Sequence, residues 1–247
     1  MRKLLISMSL LSLLFGCGKS TTPAYPQDKI TANDGSTITL TFFAHATLGI
    51  EHNGRHIYID PVGDFKWDKL PKADAILITH SHYDHFELES VEKLQKEGTA
   101  ILCDKSTAEA FEHDCTTMLP GCIAEPLEGI SVRAVAAYNI TDGHTNFHPK
   151  EREDCGYILT IGGTTIYIAG DTEDNEDVLS LRNIDIAFLP VNQPYTMTIE
   201  QAANAIKAIQ PKVFYPYHYG QVEEKTNIEA LTKSLEGICE VRIRPME

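Results

Sequence analysis

Four side chains able to bind a metal ion stand within six residues of the sequence, His80, His82, Asp84 and His85 of the stretch ILITHSHYDHF. Each of these polar side chains would destabilise the end of an apolar strand unless it had a hydrogen-bond partner or bound a metal ion. His80 and His82 are two residues apart in extended chain, so their side chains point to the same side. Asp84 and His85 follow where the backbone turns into the next helix, so their side chains point in a different direction from those of His80 and His82. This short loop can therefore present two ligand sets to two adjacent cations.

The types of these side chains indicate which metals would bind. Imidazole and carboxylate groups suit zinc, and they also suit manganese or iron. A lone His-x-His would be a weak signal, whereas HxHxDH directly after an apolar strand is a strong one. The sequence therefore predicts divalent metal ions, with zinc favoured and manganese or iron as alternatives.

Three further segments offer ligands of the same kind. Asp171 ends the strand-like run IYIAGDT, His218 ends FYPYHYG, and the polar loop DGHTNFHPK contains His144 and His148. Taken singly, each has an ordinary structural explanation as a turn residue, a hydrogen-bonded core histidine or a solvated loop residue. Together, at successive strand ends of one sheet edge, they would supply the ligands that the first loop lacks.

The elements that must position these residues follow from hydrophobic periodicity and turn signals. Asn53-Gly54 and Gly162-Gly163 mark hairpin turns. Strands are predicted at TITLTFFAH, TLGIEHNGRHIYIDP, ADAILIT, ISVRAVAAY, CGYILTIGGTTIYIAGDT, IDIAFLPV and KVFYPYH, and helices at ELESVEKLQKEG, TIEQAANAIKAIQ and NIEALTKSLEG. Two hairpin-rich blocks, each followed by strand–helix units, predict an α/β (α+β) fold of two mixed sheets packed together with helices outside. Residues 36–247 should form one domain.

The amino terminus is predicted to be an export signal that is separate from the fold. Arg2 and Lys3 precede an apolar run too short to span a bilayer comfortably, and Leu14-Phe15-Gly16-Cys17 resembles the lipobox of bacterial lipoproteins. Residues 1–17 would then be a lipoprotein signal with lipidation at Cys17, and residues 18–35 a flexible tether. The chain is expected to be exported and membrane-anchored in a bacterial cell envelope, on the periplasmic or surface side. An ordinary cleaved signal with an incidental cysteine is the alternative.

Composition narrows the class of partner. The 247-residue chain carries a formal net charge of −14 without a cluster of Lys or Arg, so phosphate-backbone binding to nucleic acid is not expected. Of the 6 cysteines, those after Cys17 are odd in number and show no CxxC spacing. They are expected to be small buried hydrophobes, with a Cys115–Cys122 bridge left open. Composition does not indicate an oligomeric state.

The order of these motifs resembles the metallo-β-lactamase fold superfamily over roughly residues 36–244. The matching motifs begin with Asp60 in YIDP, continue through HxHxDH and a loop histidine, and end with Asp171 and His218. The segments AAYN, FHPK, GYIL, AGDT and YPYHYG look like the branch that includes L-ascorbate-6-phosphate lactonase and relatives of N-acylphosphatidylethanolamine phospholipase D. The resemblance implies an αββα sandwich with the site along one edge of the sheets.

The resemblance also implies roles for the candidate ligands. Site one would comprise His80, His82 and a loop histidine, and site two would comprise the three residues Asp84, His85 and His218. Asp171 would bridge the two ions. His148 is favoured over His144 as the loop ligand, because FHPK belongs to the lactonase-like pattern. His144 would then be a residue of the substrate pocket or a solvent-exposed residue.

The two implied ions lead to a prediction of hydrolysis. A hydroxide held between them would attack an ester, lactone, amide or phosphodiester bond of a small molecule. Asp84 would also orient or accept the proton of the water, and Asp60 would support a histidine from behind. Tyr83 and Tyr219 are candidates for the substrate pocket. The alternative is a non-catalytic surface lipoprotein that binds metal.

Overall fold

The first half of the chain forms a seven-stranded mixed sheet in the computed structural model, which describes residues 25–111, 114–220, 222 and 225–246. Its strands follow chain order: β1 (Gln27–Thr31), β2 (Thr37–Ala44), β3 (Thr47–His52), β4 (Arg55–Ile59), β5 (Ala75–Ile78), β6 (Ala100–Cys103) and β7 (Thr116–Thr117). Strands β1 to β4 pair antiparallel, and β4 to β7 pair parallel. The predicted signal peptide, with Cys17, lies outside the described residues.

The second half of the described chain repeats this plan in another seven-stranded sheet. Its strands are β8 (Ile123–Leu127), β9 (Ile130–Ala136), β10 (Cys155–Ile161), β11 (Thr164–Ile168), β12 (Ile186–Pro190), β13 (Val213–Tyr217) and β14 (Glu240–Val241). Strands β8 to β11 pair antiparallel, and β11 to β14 pair parallel.

The α-helices of the described residues are α1 (Leu88–Leu94), α2 (Lys105–Ala110), α3 (Glu176–Leu179), α4 (Ile199–Ile209) and α5 (Ile228–Ser234). Short 3₁₀ helices occupy Trp67–Lys69 and Lys150–Arg152.

The main core lies between the two sheets. Phe42 of β2 reaches across to Tyr215 of β13 with ring centroids 5.3 Å apart, and Tyr215 stacks on Phe188 at 4.7 Å. Alternation along β5 sends Ala75 and Leu77 into this core. The intervening Ile76 and Ile78 join a separate cluster with Val91 and Leu94 of α1. The predicted four-layer αββα architecture is therefore confirmed.

The polar ends of the parallel strands gather at one edge of the sandwich. Asp60 follows β4, and the histidine loop follows β5. In the second sheet, Asp171 comes shortly after β11, Asn192 after β12 and His218 directly after β13. Carboxyl ends of neighbouring parallel strands share one edge of a sheet, so residues distant in sequence meet there. Across the described residues, no helix is long and apolar enough to cross a membrane.

The tether predicted for residues 18–35 is wrong for its second half, where Gln27–Thr31 forms β1 along the edge of the first sheet. The cause is Asp28, which receives hydrogen bonds from Arg244 Nη2 at 2.7 Å and from the Tyr215 hydroxyl at 2.6 Å. Arg242 adds an ion pair at 3.7 Å. A polar-looking segment is thus held in place by charges from the far end of the chain.

The cysteines also depart in part from the prediction. Cys103 and Cys155 are buried as expected, whereas Cys122 is exposed. The neighbour of Cys115 is Cys103, with the two sulfur atoms 3.0 Å apart, and no disulfide joins the described cysteines. The open alternative of a Cys115–Cys122 bridge therefore has no support in the described structure.

Asp28→Asn should lower the free energy of unfolding by about 1–2 kcal/mol, because a hydrogen bond between charged groups becomes a neutral one. The hydrogen bonds from Tyr215 and Arg244 outweigh the effect of burial and lower the pKa of Asp28. Its stabilisation is therefore present above the unfolded pKa of about 3.9 and is lost as the pH falls through the lower folded pKa. Denaturant unfolding at pH 7 and pH 3 would measure this. Asp68→Asn, at an exposed Asp68–Lys69 pair, is the control, and equal losses in both variants would contradict the assignment.

Candidate metal centre and active-site cleft

A buried hydrogen-bond network supports the histidine loop from below. Asp60 accepts hydrogen bonds from the backbone nitrogen of Thr79 and from its hydroxyl, both at 2.7 Å. The same carboxylate lies 2.8 Å from His85 Nδ1. All three side chains are fully buried. The structure thus places Asp60 beneath the loop, where it contacts both the backbone and one imidazole.

This network determines which ring nitrogens can serve as ligands. The Thr79 hydroxyl gives its proton to Asp60, so its oxygen accepts from His80 Nδ1, 3.1 Å away. Asp60 accepts in the same way from His85 Nδ1. With Nδ1 protonated in both rings, the lone pair of each neutral imidazole is on Nε2. Both Nε2 atoms are therefore available to a cation.

His80, His82 and His148 form the first candidate ligand group, with ligand atoms within 4.8 Å of one another. His80 Nε2 lies 3.1 Å from His82 Nδ1. His148 Nε2 approaches Asp171 Oδ2 to 3.3 Å. His144 belongs to no such group, and its Nδ1 instead lies 3.5 Å from Glu173 Oε1. The structure thus brings His148, the favoured loop histidine, to the ligand set.

Asp171 connects this group to the other candidate ligands. Its Oδ1 lies 3.3 Å from His85 Nε2 and 3.3 Å from His218 Nε2. His218 Nε2 also lies 3.5 Å from Asp84 Oδ2. One buried carboxylate therefore faces imidazoles on both sides, and its Oδ1 has no hydrogen-bond partner. Because unpaired buried carboxylate oxygens are costly, this arrangement fits divalent cations.

The charges of the ligand side chains fall into two groups. Burial lowers the pKa of His80 well below its usual value, and burial together with the Arg152 guanidinium lowers the pKa of His82 to about 4. Burial acts against ionisation of Asp171, but the imidazoles of His218 and His85 outweigh it and hold the carboxyl pKa well below normal. Neutral imidazoles and ionised carboxylates are the forms that bind metal.

The second group is His85 and His148, whose imidazole pKa values are raised. At His85, burial acts against protonation, but Asp171 and Asp60 outweigh it and raise the pKa. At His148, burial also acts against protonation, but hydrogen bonds with Asp154 and Asp171 outweigh it and raise the pKa. A cation bound there would displace these protons.

A cleft of about 990 Å³ opens beside these groups. One wall carries the candidate ligands His82, Asp84, His148, Asp171 and His218. The other is formed by His144, Phe147, Asn192, Gln193, Pro194, Tyr195 and Val222. Tyr83 is 87% exposed at the rim. A cleft of this size accommodates a small molecule.

Tyr219 does not line this cleft, contrary to its prediction as a pocket residue. Its ring is buried, and its hydroxyl donates to the backbone oxygen of Arg244 at 2.6 Å. Its backbone nitrogen donates to the Met246 oxygen at 3.4 Å, so the residue packs against the segment 244–246 and away from the cleft. His144 does line the cleft.

Comparison with known proteins agrees with this geometry. The family model for the "Beta-lactamase superfamily domain" matches residues 39–218. The chain belongs to the β-lactamase superfamily. Within it, the UPF0173 metal-dependent hydrolase of Koribacter versatilis is 31% identical over 83% of this chain and 94% of its own. That of Nanoarchaeum equitans is 32% identical over 73% of this chain and 83% of its own. These relatives place the chain among the UPF0173 metal-dependent hydrolases.

Solved structures of this superfamily show the same fold. The structure named as a metal-dependent hydrolase of Parabacteroides distasonis has a TM-score of 0.85 and 38% identity, covering 91% of this chain and 100% of its own. Igni18, a metallo hydrolase of Ignicoccus hospitalis, has a TM-score of 0.72 at 24% identity, covering 85% of this chain and 96% of its own. The second likeness concerns the fold alone. The branch with L-ascorbate-6-phosphate lactonase stays a prediction.

His45 is a member of the site that the sequence pattern did not reveal. It lies in the turn between β2 and β3 at a φ of 53°, and its Nε2 lies 3.2 Å from Asp84 Oδ2. With Asp84 and His218 it forms a further candidate ligand group. Its backbone oxygen accepts from the backbone nitrogen of His218 at 3.1 Å. The available signal was a lone histidine in a hairpin turn, at the strand end that faces the site.

Arg152 and Asp154 were also missed. Arg152 Nη1 lies 2.7 Å from His82 Nε2, and its Nε donates to Asp154 Oδ1 at 2.8 Å. Asp154 Oδ2 in turn lies 3.6 Å from His148 Nδ1. This pair contacts two histidines of the first group from outside, as outer-shell partners of metal ligands commonly do.

Asp60→Asn should weaken zinc binding about 10- to 100-fold, because an amide offers one acceptor oxygen where Asp60 uses both. Competition against a chromophoric chelator would measure the affinity. The matched control is Asp74→Asn, another buried carboxylate, which accepts from the His56 backbone nitrogen at 2.8 Å and from Lys96 at 2.8 Å. Both variants should lose stability, but Asp74→Asn should keep its zinc affinity. Equal zinc affinities in the two variants would show that Asp60 does not position the ligands.

Proposed function

We propose that the protein is a binuclear metal-dependent hydrolase of ester, lactone, amide or phosphodiester bonds in small molecules. The observation that carries this proposal is the position of Asp171, whose two oxygens face His148 on one side and His85 and His218 on the other. A carboxylate so placed can serve two cations together. Simple metal capture would not require this shared position.

The proposed ligands fall into two sets joined by Asp171. The first set is His80, His82 and His148, and the second is Asp84, His85 and His218. His45 is an additional donor for the second set, since it faces Asp84. The nitrogen and oxygen donors suit zinc, with manganese or iron as alternatives. No cysteine takes part in the candidate groups found among the described residues.

Two bound cations supply a water of lowered pKa and polarise the scissile carbonyl or phosphoryl group. Residues of the chain set the charge and the orientation of the groups that would take part. Burial acts against ionisation of Asp84, but hydrogen bonds to His218 and His45 outweigh it and lower the carboxyl pKa. Asp84 therefore stays ionised at neutral pH, which is the form that would bind a cation or orient a water by accepting its hydrogen bond. Asp60 and Thr79 hold His80 and His85 in the orientation that exposes Nε2.

We further propose that the chain is exported and anchored to a membrane of the bacterial cell envelope through Cys17. This rests on the charged start, the apolar run and the sequence Leu14-Phe15-Gly16-Cys17. Two lipid-borne acyl chains on one cysteine would hold the protein stably at a membrane. The substrate would then be met outside the cytoplasm.

Removal of metal should abolish turnover. A screen of chromogenic esters, lactones, amides and phosphodiesters would find the substrate class, and treatment with chelator should reduce its hydrolysis at least 100-fold, with recovery on adding zinc or manganese. Elemental analysis should show two ions per chain. His148→Ala should deplete one of them, because it removes a proposed ligand.

His144→Ala is the matched control, since His144 lies in the same loop but outside the candidate ligand groups. It should retain both ions. Turnover that persists without metal would contradict the hydrolytic mechanism. If His144→Ala loses an ion and His148→Ala does not, His144 is the metal ligand and His148 is the neighbouring pocket residue.

Cys17→Ser should release the protein from membranes, because the proposed site of lipid attachment is removed. Mass spectrometry of the natural protein should show an acylated Cys17 as the first residue. Fractionation of cells expressing each form would measure the distribution, with Cys239→Ser as the control for cysteine loss. A Cys17→Ser protein that stays at the membrane with unchanged mass would exclude the lipoprotein assignment.

A further inference from the structure

The side chain of Asn192 is a buried polar group that the hydrolytic mechanism does not use. Asn192 follows β12, is 4% exposed and lines the cleft. Its backbone nitrogen donates to the Thr196 hydroxyl at 2.8 Å, and its backbone oxygen accepts from the backbone nitrogens of Tyr195 and Thr196. The loop is therefore held by its backbone, while Asn192 Oδ1 has no hydrogen-bond partner.

An acceptor left unpaired in this way destabilises the protein unless a donor reaches it. Buried side-chain polar atoms are hydrogen-bonded in the large majority of cases, so an exception in a binding cleft points to a ligand. The loop does not need this side chain for its own hydrogen bonds. The amide oxygen is thus an unpaired acceptor on a residue that lines the cleft, and a ligand donor must displace the atoms that cover this oxygen to reach it.

The wall beside Asn192 is apolar and aromatic. Phe147 and Tyr195 meet edge to face with centroids 4.9 Å apart, and Pro194 and Val222 also line the cleft. Asn139 ties the two loops together, because its side chain donates to the Tyr195 oxygen at 2.7 Å. Such a wall contacts an aromatic or aliphatic group of a substrate.

Fixed positive charge is absent from the described residues that line the cleft, none of which is Lys or Arg. Lys150, a lysine of the neighbouring loop, donates to the Tyr138 hydroxyl at 3.2 Å and to Glu176 at 3.1 Å instead. A charged group on the part of the substrate remote from the metals would therefore lose its hydration without a compensating ion pair.

We propose that the cleft selects substrates in which the hydrolysed bond is linked to an uncharged aromatic or aliphatic group through a segment that carries an N–H or O–H donor. Asn192 Oδ1 accepts the hydrogen bond from this donor, and Phe147 and Tyr195 contact the apolar group. The inference rests on the proposed hydrolytic function and gives it a substrate class.

Three matched 4-nitrophenyl esters test the proposal on the metal-loaded enzyme. The ester of N-benzoylglycine carries the N–H donor, the ester of 4-oxo-4-phenylbutanoic acid replaces that N–H by CH₂, and the ester of N-(4-carboxybenzoyl)glycine adds a distal charge. The N–H ester should exceed its CH₂ analogue in kcat/KM by about five- to tenfold, as expected for one hydrogen bond. The distal carboxylate should lower kcat/KM by at least a similar factor.

Asn192→Ala should reduce the preference for N–H over CH₂ to about one, chiefly by losing kcat/KM for the N–H ester. Asn192→Asp retains an acceptor oxygen and should keep the preference. Asn204→Ala is the control, since Asn204 is exposed on α4 and bonds to Asp174. An unchanged preference in Asn192→Ala, or no preference in the natural enzyme, would overturn the assignment of Asn192.

Binding of unreactive analogues separates this inference from the proposed function. N-benzoylglycinamide should bind about five- to tenfold more tightly than 4-oxo-4-phenylbutanamide in a ligand-detected NMR titration, and Asn192→Ala should remove the difference. If none of the esters, lactones, amides and phosphodiesters of the substrate screen is hydrolysed but this binding difference is found, the ligand class stands and the hydrolytic proposal fails. If esters are hydrolysed but neither rate nor binding depends on Asn192, the inference alone fails.

Discussion

The hydrogen bonds between Asp60 and Thr79 are the interaction on which the site depends. Asp60 follows β4 and Thr79 follows β5, so the contact joins the ends of two neighbouring parallel strands. The same atoms contact Nδ1 of His80 and His85. A single buried pair thus fixes the backbone of the loop and the orientation of two imidazoles. Without its partners, Asp60 would be an unpaired charge buried in the core, which is strongly destabilising. We therefore expect the hydrogen bonds of this network to form together.

The two sheets meet directly behind this network. The backbone nitrogen of Cys155 donates to the Thr79 oxygen at 3.1 Å, and the Tyr157 hydroxyl donates to the Ile78 oxygen at 2.8 Å. Within the second sheet, the backbone after β11 passes so close to β10 that position 156 requires glycine, because a Cβ there would lie 2.4 Å from the Ala169 oxygen. Gly170 is similarly confined, because its φ is 64° and an added Cβ would lie 3.0 Å from Thr79 Cβ. Close packing of backbones therefore brings Asp171 to the histidine loop.

The sequence predicted strands β2 to β5 and β9 to β13 and most candidate ligands, because periodic apolar runs and polar strand ends are local signals. Strands β1, β6 to β8 and β14 were not predicted. HxHxDH, Asp171 and His218 all stand directly after such runs. Residues whose role arises from tertiary contact were not predictable. Thr79 reads as a strand residue, Arg152 as a loop cation and Gln27–Thr31 as a tether. The contact between Asp28 and Arg244 spans nearly the whole chain, and no local pattern records it.

Most of the candidate ligands and the opposite wall of the cleft are positioned by different parts of the fold. Most candidate ligands follow strand ends, whereas His148 and the opposite wall come from the loops around His144 and Asn192. Asn139 joins these loops, since its side chain donates to the Tyr195 oxygen and its backbone nitrogen donates to the His148 oxygen at 2.9 Å. The wall that contacts the substrate is therefore connected to a candidate ligand. Changes in loop sequence can alter specificity while this one connection keeps the cleft aligned with the metal centre.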